Sequence, residues 1–205
     1  MENSRNGFTL WFTGLPCSGK STLANLVARE IERRGRGVVI LDGDVVRRHL
    51  TKGLGFSKED RDENIRRIGW VCGLLSRFDA VAIAAAISPY RSVRQEVRSS
   101  IERFVEIYVK TSLETCIQRD VKGMYKKALA GEIKNFTGID DPYEPPDRPE
   151  LVIETEAETP EESASRIVSL LERLNLVSLL PQPDSSPEQA QQTRLRLSGL
   201  GYIER

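Results

Sequence analysis

Residues 14–21 read Gly-Leu-Pro-Cys-Ser-Gly-Lys-Ser and satisfy the pattern G-x-x-x-x-G-K-[ST], with Gly14, Gly19, Lys20 and Ser21 at the fixed places. The flanks narrow the choice of fold further. Phe8-Thr-Leu-Trp-Phe-Thr13 is apolar, aromatic and β-branched, as a buried strand requires. From Ser21 to Arg34, Leu23, Leu26, Val27 and Ile31 recur at helical spacing. Strand, glycine loop and helix in this order build an anion cradle. Glycines admit backbone angles that a Cβ would block, the loop N–H groups turn inward as a nest, and the helix N-terminus adds positive potential. Lys20 is expected to reach the β- and γ-phosphates of a nucleoside triphosphate, and the Ser21 hydroxyl to ligate Mg²⁺. Leu15, Pro16, Cys17, Ser18 and Thr22 complete the expected nucleotide-binding stretch. The motif implies ATP-type chemistry and leaves the phosphate acceptor open.

A chain of 205 residues suits one domain with a sizeable core. Thirty basic and thirty acidic side chains cancel, so no global field points to nucleic acid or to a membrane surface. No apolar run is long enough to span a bilayer. The first residues carry no apolar signal core, which sets the expectation of a cytoplasmic protein. Cys17, Cys72 and Cys116 form neither a CxxC pair nor a metal-ligand spacing. Cys17, inside the loop, reads either as a small residue that fits or as an oxidation-sensitive thiol, with the first reading favoured.

The rest of the chain alternates strand and helix patterns. Gly37–Leu41 reads as a strand ending in Asp42-Gly43-Asp44, and ligands of doubly wound sheets gather at the carboxyl ends of strands. Asp44 has two readings: a site carboxylate, or the N-cap of a helix over 45–50. After the Gly-rich turn at 51–56, Ser57 and Asp60 give a capping-box helix start. The helix runs to about Phe78, with Ile65, Ile68, Val71, Cys72 and Leu75 on its apolar stripe. Arg61, Asn64, Arg66 and Arg67 near its start are either a solvated face or an anion grip. The run 79–87 reads as a strand buried on both faces, breaking at Ser88-Pro89-Tyr90-Arg91. A helix near 92–102, a strand over 104–109 and a short helix over 113–119 follow. Residues 119–139 are basic, with Gly123, Gly131 and Gly138 as hinges and few apolar anchors. A mobile lid over phosphates and a solvated surface helix are the two readings. The Pro-rich stretch 140–149 is an ordered connection, 151–154 a closing strand, and Thr159-Pro160 opens a last helix with Thr159 as cap. Residues 1–177 are assigned to one domain. Residues 178–205 are assigned to a Pro/Ser-rich linker and a tail; a disordered or loosely attached tail is the favoured reading, and a short amphipathic piece over 194–203, docked on the domain or on a partner, the other. The pattern predicts an α/β fold: a three-layer P-loop NTPase with a mostly parallel sheet and a basic lid.

These residues carry a family resemblance. GLPCSGKS at 14–21, LDGD at 41–44, LGFSKEDRDENIRRI at 54–68, ISPYR at 87–91, RDVKGMYKKALAGEIKNFTGID at 119–140 and PYEPP at 142–146 are similar, in order, to the adenylyl-sulfate kinases. The resemblance implies ATP-dependent phosphorylation of the 3′-hydroxyl of adenosine 5′-phosphosulfate by in-line transfer, with ATP and Mg²⁺ as cofactors. It implies that Phe56 and Phe136 sandwich the substrate adenine, that Arg47, Arg61 and Asn64 hold the phosphosulfate, and that Ile87 and Ser88 line the pocket. It further implies that Lys122 contacts substrate and ATP, that Arg119 belongs to the ATP site and Asp42 to the substrate site, and that Asp44 orients or deprotonates the hydroxyl and organises Mg²⁺ with Ser21. Ser88 is assigned to substrate contact, with a phosphoserine role as the lesser alternative. As partners it implies a homodimer and, for sulfate activation, ATP sulfurylase. Val45 departs from the usual Asn, Leu129 from a common Arg, and Lys110 from a frequent Asp. On the residues alone, a P-loop kinase for another small acceptor such as a sugar acid, and a non-catalytic nucleotide-binding module, stay open. The first leaves the two phenylalanines and the arginines unexplained, and the presence of Lys20, Ser21 and Asp44 argues against the second.

Overall fold

Five parallel strands form the middle layer of the computed structural model, which describes residues 7–178. The strands are β1 (Phe8–Thr13), β2 (Val38–Asp42), β3 (Val81–Ala85), β4 (Phe104–Lys110) and β5 (Leu151–Glu154), in the order β2-β3-β1-β4-β5. The helices are α1 (Lys20–Arg33), α2 (Gly43–His49), α3 (Lys58–Arg77), α4 (Arg91–Ser100), α5 (Leu113–Arg119), α6 (Met124–Leu129) and α7 (Pro160–Arg173). The expected elements are all present, with shifted ends. The assignment of 178–205 as linker and tail falls, beyond Ser178, outside the described residues.

Side-chain parity explains the layers. Successive strand residues point to opposite faces. Phe8, Leu10 and Phe12 of β1, with Val81, Ile83 and Ala85 of β3, join the core under α1 and α7. Trp11, with Ala82, Ala84 and Ala86, joins the core under α3 and α4. The alanines let those helices sit close. Gly69 of α3 touches α4, where an added Cβ would lie 2.6 Å from Val97 Cγ1.

The same registers position the site. Asp42 pairs with Ala85, and Ala85 with Phe12, so β2, β3 and β1 end level with one another. One to three residues beyond that row lie Gly14, Gly43-Asp44 and Ile87-Ser88. The chain places β2 and β3 on one side of β1 and β4 and β5 on the other, so the switch in strand order falls at the strand that enters the glycine loop. Ligands of open α/β sheets bind at such a point.

Two helix starts differ in detail from expectation. The α2 cap is Asp42, whose carboxylate accepts from Asp44 N at 3.0 Å; Asp44 is not the cap. The aspartate ending the strand is already in extended geometry, so it caps, and Asp44 lies inside the first turn. At α3, Ser57 accepts from Asp60 N at 3.2 Å, but Asp60 Oδ2 turns back to Gly55 N at 3.0 Å, so only half of a capping box forms. α7 carries the full box between Thr159 and Glu162.

Candidate active site

The glycine loop is held in shape by its own backbone and by its neighbours. Gly19 is left-handed, with φ 104°, as the residue before α1. At Gly14 an added Cβ would meet Val109 O at 2.4 Å, so only glycine lets the loop pass β4. Lys20 Nζ donates to Gly14 O at 3.0 Å and Leu15 O at 2.6 Å and approaches Ser18 Oγ at 3.4 Å. Burial lowers its pKa to about 8. Pro16 O accepts from Tyr125 OH at 3.1 Å, and Ser18 O from Thr111 Oγ1 at 3.3 Å. Cys17 is half-buried with φ 60° and a free thiol, and Thr22 is exposed on the first turn of α1.

The two aspartates divide their work. Ser21 Oγ donates to Asp42 Oδ2 at 2.5 Å, so the carboxylate that meets the loop serine is Asp42. Asp44 is exposed and forms an ion pair with Lys122, which reaches it from the loop between α5 and α6. The resemblance joins Asp44 to Ser21 through Mg²⁺; the cap geometry of α2 turns Asp42 toward the loop serine. A hydroxyl and a carboxylate in contact are hard oxygen donors that suit Mg²⁺, which takes one or two protein ligands and completes its shell with phosphates and water. Among the described residues no cluster of three or more His, Cys, Asp or Glu could hold a metal ion.

The acceptor side is built by α3 and the lid. Arg61 is buried and spans both. Its Nε donates to Phe56 O at 2.9 Å, its Nη1 to Thr137 Oγ1 at 2.6 Å and its Nη2 to Asn135 O, and Asp141 lies 3.4 Å away. One guanidinium therefore holds the backbone beside Phe56 and beside Phe136. Arg47 donates to Gly55 O at 2.9 Å, and its guanidinium lies 4.4 Å from the Phe56 ring centroid. Phe56 is 54% exposed, an open apolar ring at the mouth. Phe136 is half-buried and packs edge-on against Tyr125 at 4.9 Å. Asn64 is buried and accepts from Thr51 Oγ1 at 2.8 Å. Asn64 and Arg61 thus spend hydrogen bonds on the protein.

The lid is anchored more firmly than its composition suggests. Tyr125 is fully buried, and Thr137 nearly so. One aromatic side chain and the Arg61 bonds supply what a string of leucines would have. Arg119 leaves the lid in the other direction, donating to Thr155 Oγ1 and Thr155 O, both at 3.0 Å. Thr155 Oγ1 in turn lies 2.7 Å from Thr111 Oγ1, which holds the loop at Ser18.

Ser88 is placed differently from an exposed reacting group. It is 1% exposed, with φ 42°. Its hydroxyl accepts from Trp11 Nε1 at 3.1 Å and donates to Thr13 Oγ1 at 3.0 Å. Both hydrogen bonds tie this hydroxyl to β1, in the wall at the end of the strands. Thr13 also donates to Ile87 O at 2.8 Å and meets Tyr143 OH at 2.9 Å, while Ile87 itself stays half-buried at the rim. Behind them Arg94 is buried, bonded to Glu106 Oε1 at 3.1 Å, to Glu144 O at 2.6 Å and to Ser88 O. Thr13, Tyr143, Arg94, Thr111 and Thr155 were not singled out from the sequence. A threonine as the last residue of a fully buried strand, directly before the glycine loop, was the available signal for Thr13.

Val45 and Leu129 are exposed, and Lys110 pairs with Glu154 at 2.7 Å.

A glycine loop at the switch strand, a lysine at its mouth, a serine–carboxylate pair and a basic lid define a P-loop kinase. The adenylylsulphate kinase family profile matches residues 6–154. An adenylyl-sulfate kinase of Gloeothece citriformis is 55% identical over 170 residues, which cover 83% of this chain and 97% of that one. A probable bifunctional SAT/APS kinase of Sorangium cellulosum is 56% identical over 84% of this chain, which spans 30% of that longer protein. The Mycobacterium tuberculosis APS kinase CysC in complex with AMPPNP and APS superposes with a TM-score of 0.78 at 43% identity, covering 81% of this chain and 98% of that one. The chain belongs to the adenylylsulphate kinase family and is a kinase. Among the described residues no helix is long and apolar enough to cross a membrane.

Proposed function

We propose that this chain transfers the γ-phosphoryl group of ATP to the 3′-hydroxyl of adenosine 5′-phosphosulfate, within a domain spanning residues 1–177. One observation carries the reading: Asp44, beside the loop that holds the phosphates, is paired to a lysine of the lid. A carboxylate that can be uncovered next to the γ-phosphate is what a hydroxyl acceptor needs. The loop from Gly14 to Thr22 binds the triphosphate, and Lys20 neutralises charge developing on the transferred group. Ser21 and Asp42 would hold Mg²⁺, which would supply charge neutralisation for the transferred group. Lys122 leaves Asp44 for phosphate oxygens as substrates enter, and Asp44 then orients the 3′-hydroxyl and accepts its proton. Phe56 and Phe136 stack on the adenine, since aromatic rings accept any base face. Arg47, Arg61 and Asn64 face the phosphosulfate. Arg119 and Thr155 border the ATP side. Ile87 and Ser88 form the wall, Ser88 by position and not by covalent chemistry. The lid excludes water that would otherwise take the phosphoryl group.

The test is ADP release with and without adenosine 5′-phosphosulfate. Turnover that depends on the sulfated nucleotide is expected. Equal ADP release without it, or preference for a sugar acid, would overturn the assignment. Asp44→Asn is expected to lower kcat by about 100-fold or more, the usual worth of a positioned base, with the thermal midpoint unchanged. Assembly as a homodimer and association with ATP sulfurylase are further proposals resting on the family; light scattering of the protein alone and mixed with a sulfurylase tests both.

A further inference from the structure

One helix face has no cover among the described residues. Trp70, Leu74 and Phe78 lie at i, i+4 and i+8 of α3 and its cap, and are 71%, 41% and 78% exposed. That spacing stacks them in one stripe. Charged pairs rim it: Arg67 with Glu63 at 2.8 Å and Arg66 with Glu96 at 2.9 Å. A contiguous apolar patch with a polar rim marks a contact surface.

The place where the described residues end bears on what covers it. Arg36 Nη1 donates to Leu176 O at 3.2 Å, and its Nη2 to Asp79 O at 3.3 Å. One guanidinium thus ties the last described residues to the residue after Phe78. The described residues end at Ser178, and the sequence continues to Arg205. Within that length, Leu195, Leu197, Leu200, Tyr202 and Ile203 put five apolar side chains into nine residues. The stripe from Phe78 to Trp70 is about 12 Å long at 1.5 Å per helical residue. Sixteen residues, the length of 179–194, reach about 20 Å at the dimensions of a flexible coil. Reach and apolar content match the stripe.

Area decides between this occupant and a second copy. Three side chains fall well short of the roughly 800 Å² per partner that a stable association of separate molecules buries. A segment on the same chain needs less, because its effective concentration is in the millimolar range. We propose that residues 195–203 dock on the Trp70–Leu74–Phe78 face of α3 in the same molecule, closing the face of the domain that lies outside the catalytic cleft.

The chain has two tryptophans, and Trp11 is fully buried, so acrylamide quenching reads Trp70. Full-length protein is compared with full-length Leu197→Asp/Leu200→Asp and with full-length Phe78→Glu. Both variants are expected to raise the quenching of the Trp70 component by about twofold or more and to shift its emission to the red, as a tethered contact at millimolar effective concentration is lost. Kinase turnover is expected to stay at the full-chain value, since none of these residues lines the cleft. Equal quenching in all three proteins would overturn the proposal. So would protection of Trp70 that disappears on dilution, which would assign the face to a second copy.

Discussion

Lys20 shows how a single side chain can make binding depend on pH. Burial among loop carbonyls holds its pKa near 8, well below 10.5. The nucleotide needs the charged form, and a bound polyphosphate raises the pKa by stabilising that charge. Below pH 8 the ammonium is present in the unliganded protein and affinity is at its full value. Above pH 8 the unliganded protein has lost the proton and must take it up on binding, so affinity falls by about tenfold per pH unit until the pKa of the complex is reached. Calorimetry of ATP binding in buffers of different ionisation enthalpy is expected to show proton uptake at pH 9 and little at pH 7. Lys20→Ala is expected to remove both the uptake and most of the affinity. Uptake that persists in the alanine variant would place the titrating group elsewhere.

Among the elements, the start of α3 and the lid function as one unit. Arg61 is their shared fastener, bonded to Phe56 O on one side and to Asn135 O and Thr137 Oγ1 on the other. Phe56→Ala removes one stacking face and leaves these backbone bonds intact. It is expected to raise KM for adenosine 5′-phosphosulfate by the equivalent of about 1–3 kcal/mol, with KM for ATP unchanged. Steady-state kinetics with each substrate varied in turn distinguishes this from a general loss of structure; an equal rise in both constants would count against stacking. The contrast between α3 and α6 also explains what the sequence could tell. α3 was legible because Ile65, Ile68 and Cys72 repeat at helical spacing. The loop 14–21 was legible because its glycines are fixed by backbone geometry. The anchoring of the lid was not legible, since a single buried Tyr125 and an arginine sixty to eighty residues away leave no periodic signal. Which of Asp42 and Asp44 meets the loop serine was not legible either. Which one caps α2 depends on where the strand stops, a matter of one residue in a run that alternates acid and glycine.

At the scale of the whole molecule, the cleft is supported by a buried ionic strut. Arg94 of α4 and Glu106 of β4 have side chains only 2% and 5% exposed. Removing one partner of such a pair leaves an uncompensated charge, and the cost is about 3–5 kcal/mol. Arg94→Met does so, although Arg98, 3.3 Å from Glu106, softens the loss. For a domain of this size each kcal/mol lowers the thermal midpoint by roughly 2–4 °C, so a fall on the order of 10 °C is expected in calorimetry. Arg94→Met/Glu106→Leu removes the stranded charge and recovers part of that fall, as apolar replacement of both members of a buried pair does. The recovery stays incomplete, because the carbonyls of Ser88 and Glu144 lose their donor in both variants, and an orphaned buried acceptor such as Ser88 O costs about 1–3 kcal/mol. Those carbonyls belong to the wall of the cleft and not to the glycine loop. The double variant, assayed well below its midpoint, is therefore expected to raise KM for the sulfated nucleotide while KM for ATP stays near the wild-type value. A double variant as stable as the wild type, with both constants unchanged, would mean that Arg94 serves Glu106 alone and that the wall keeps its shape without it.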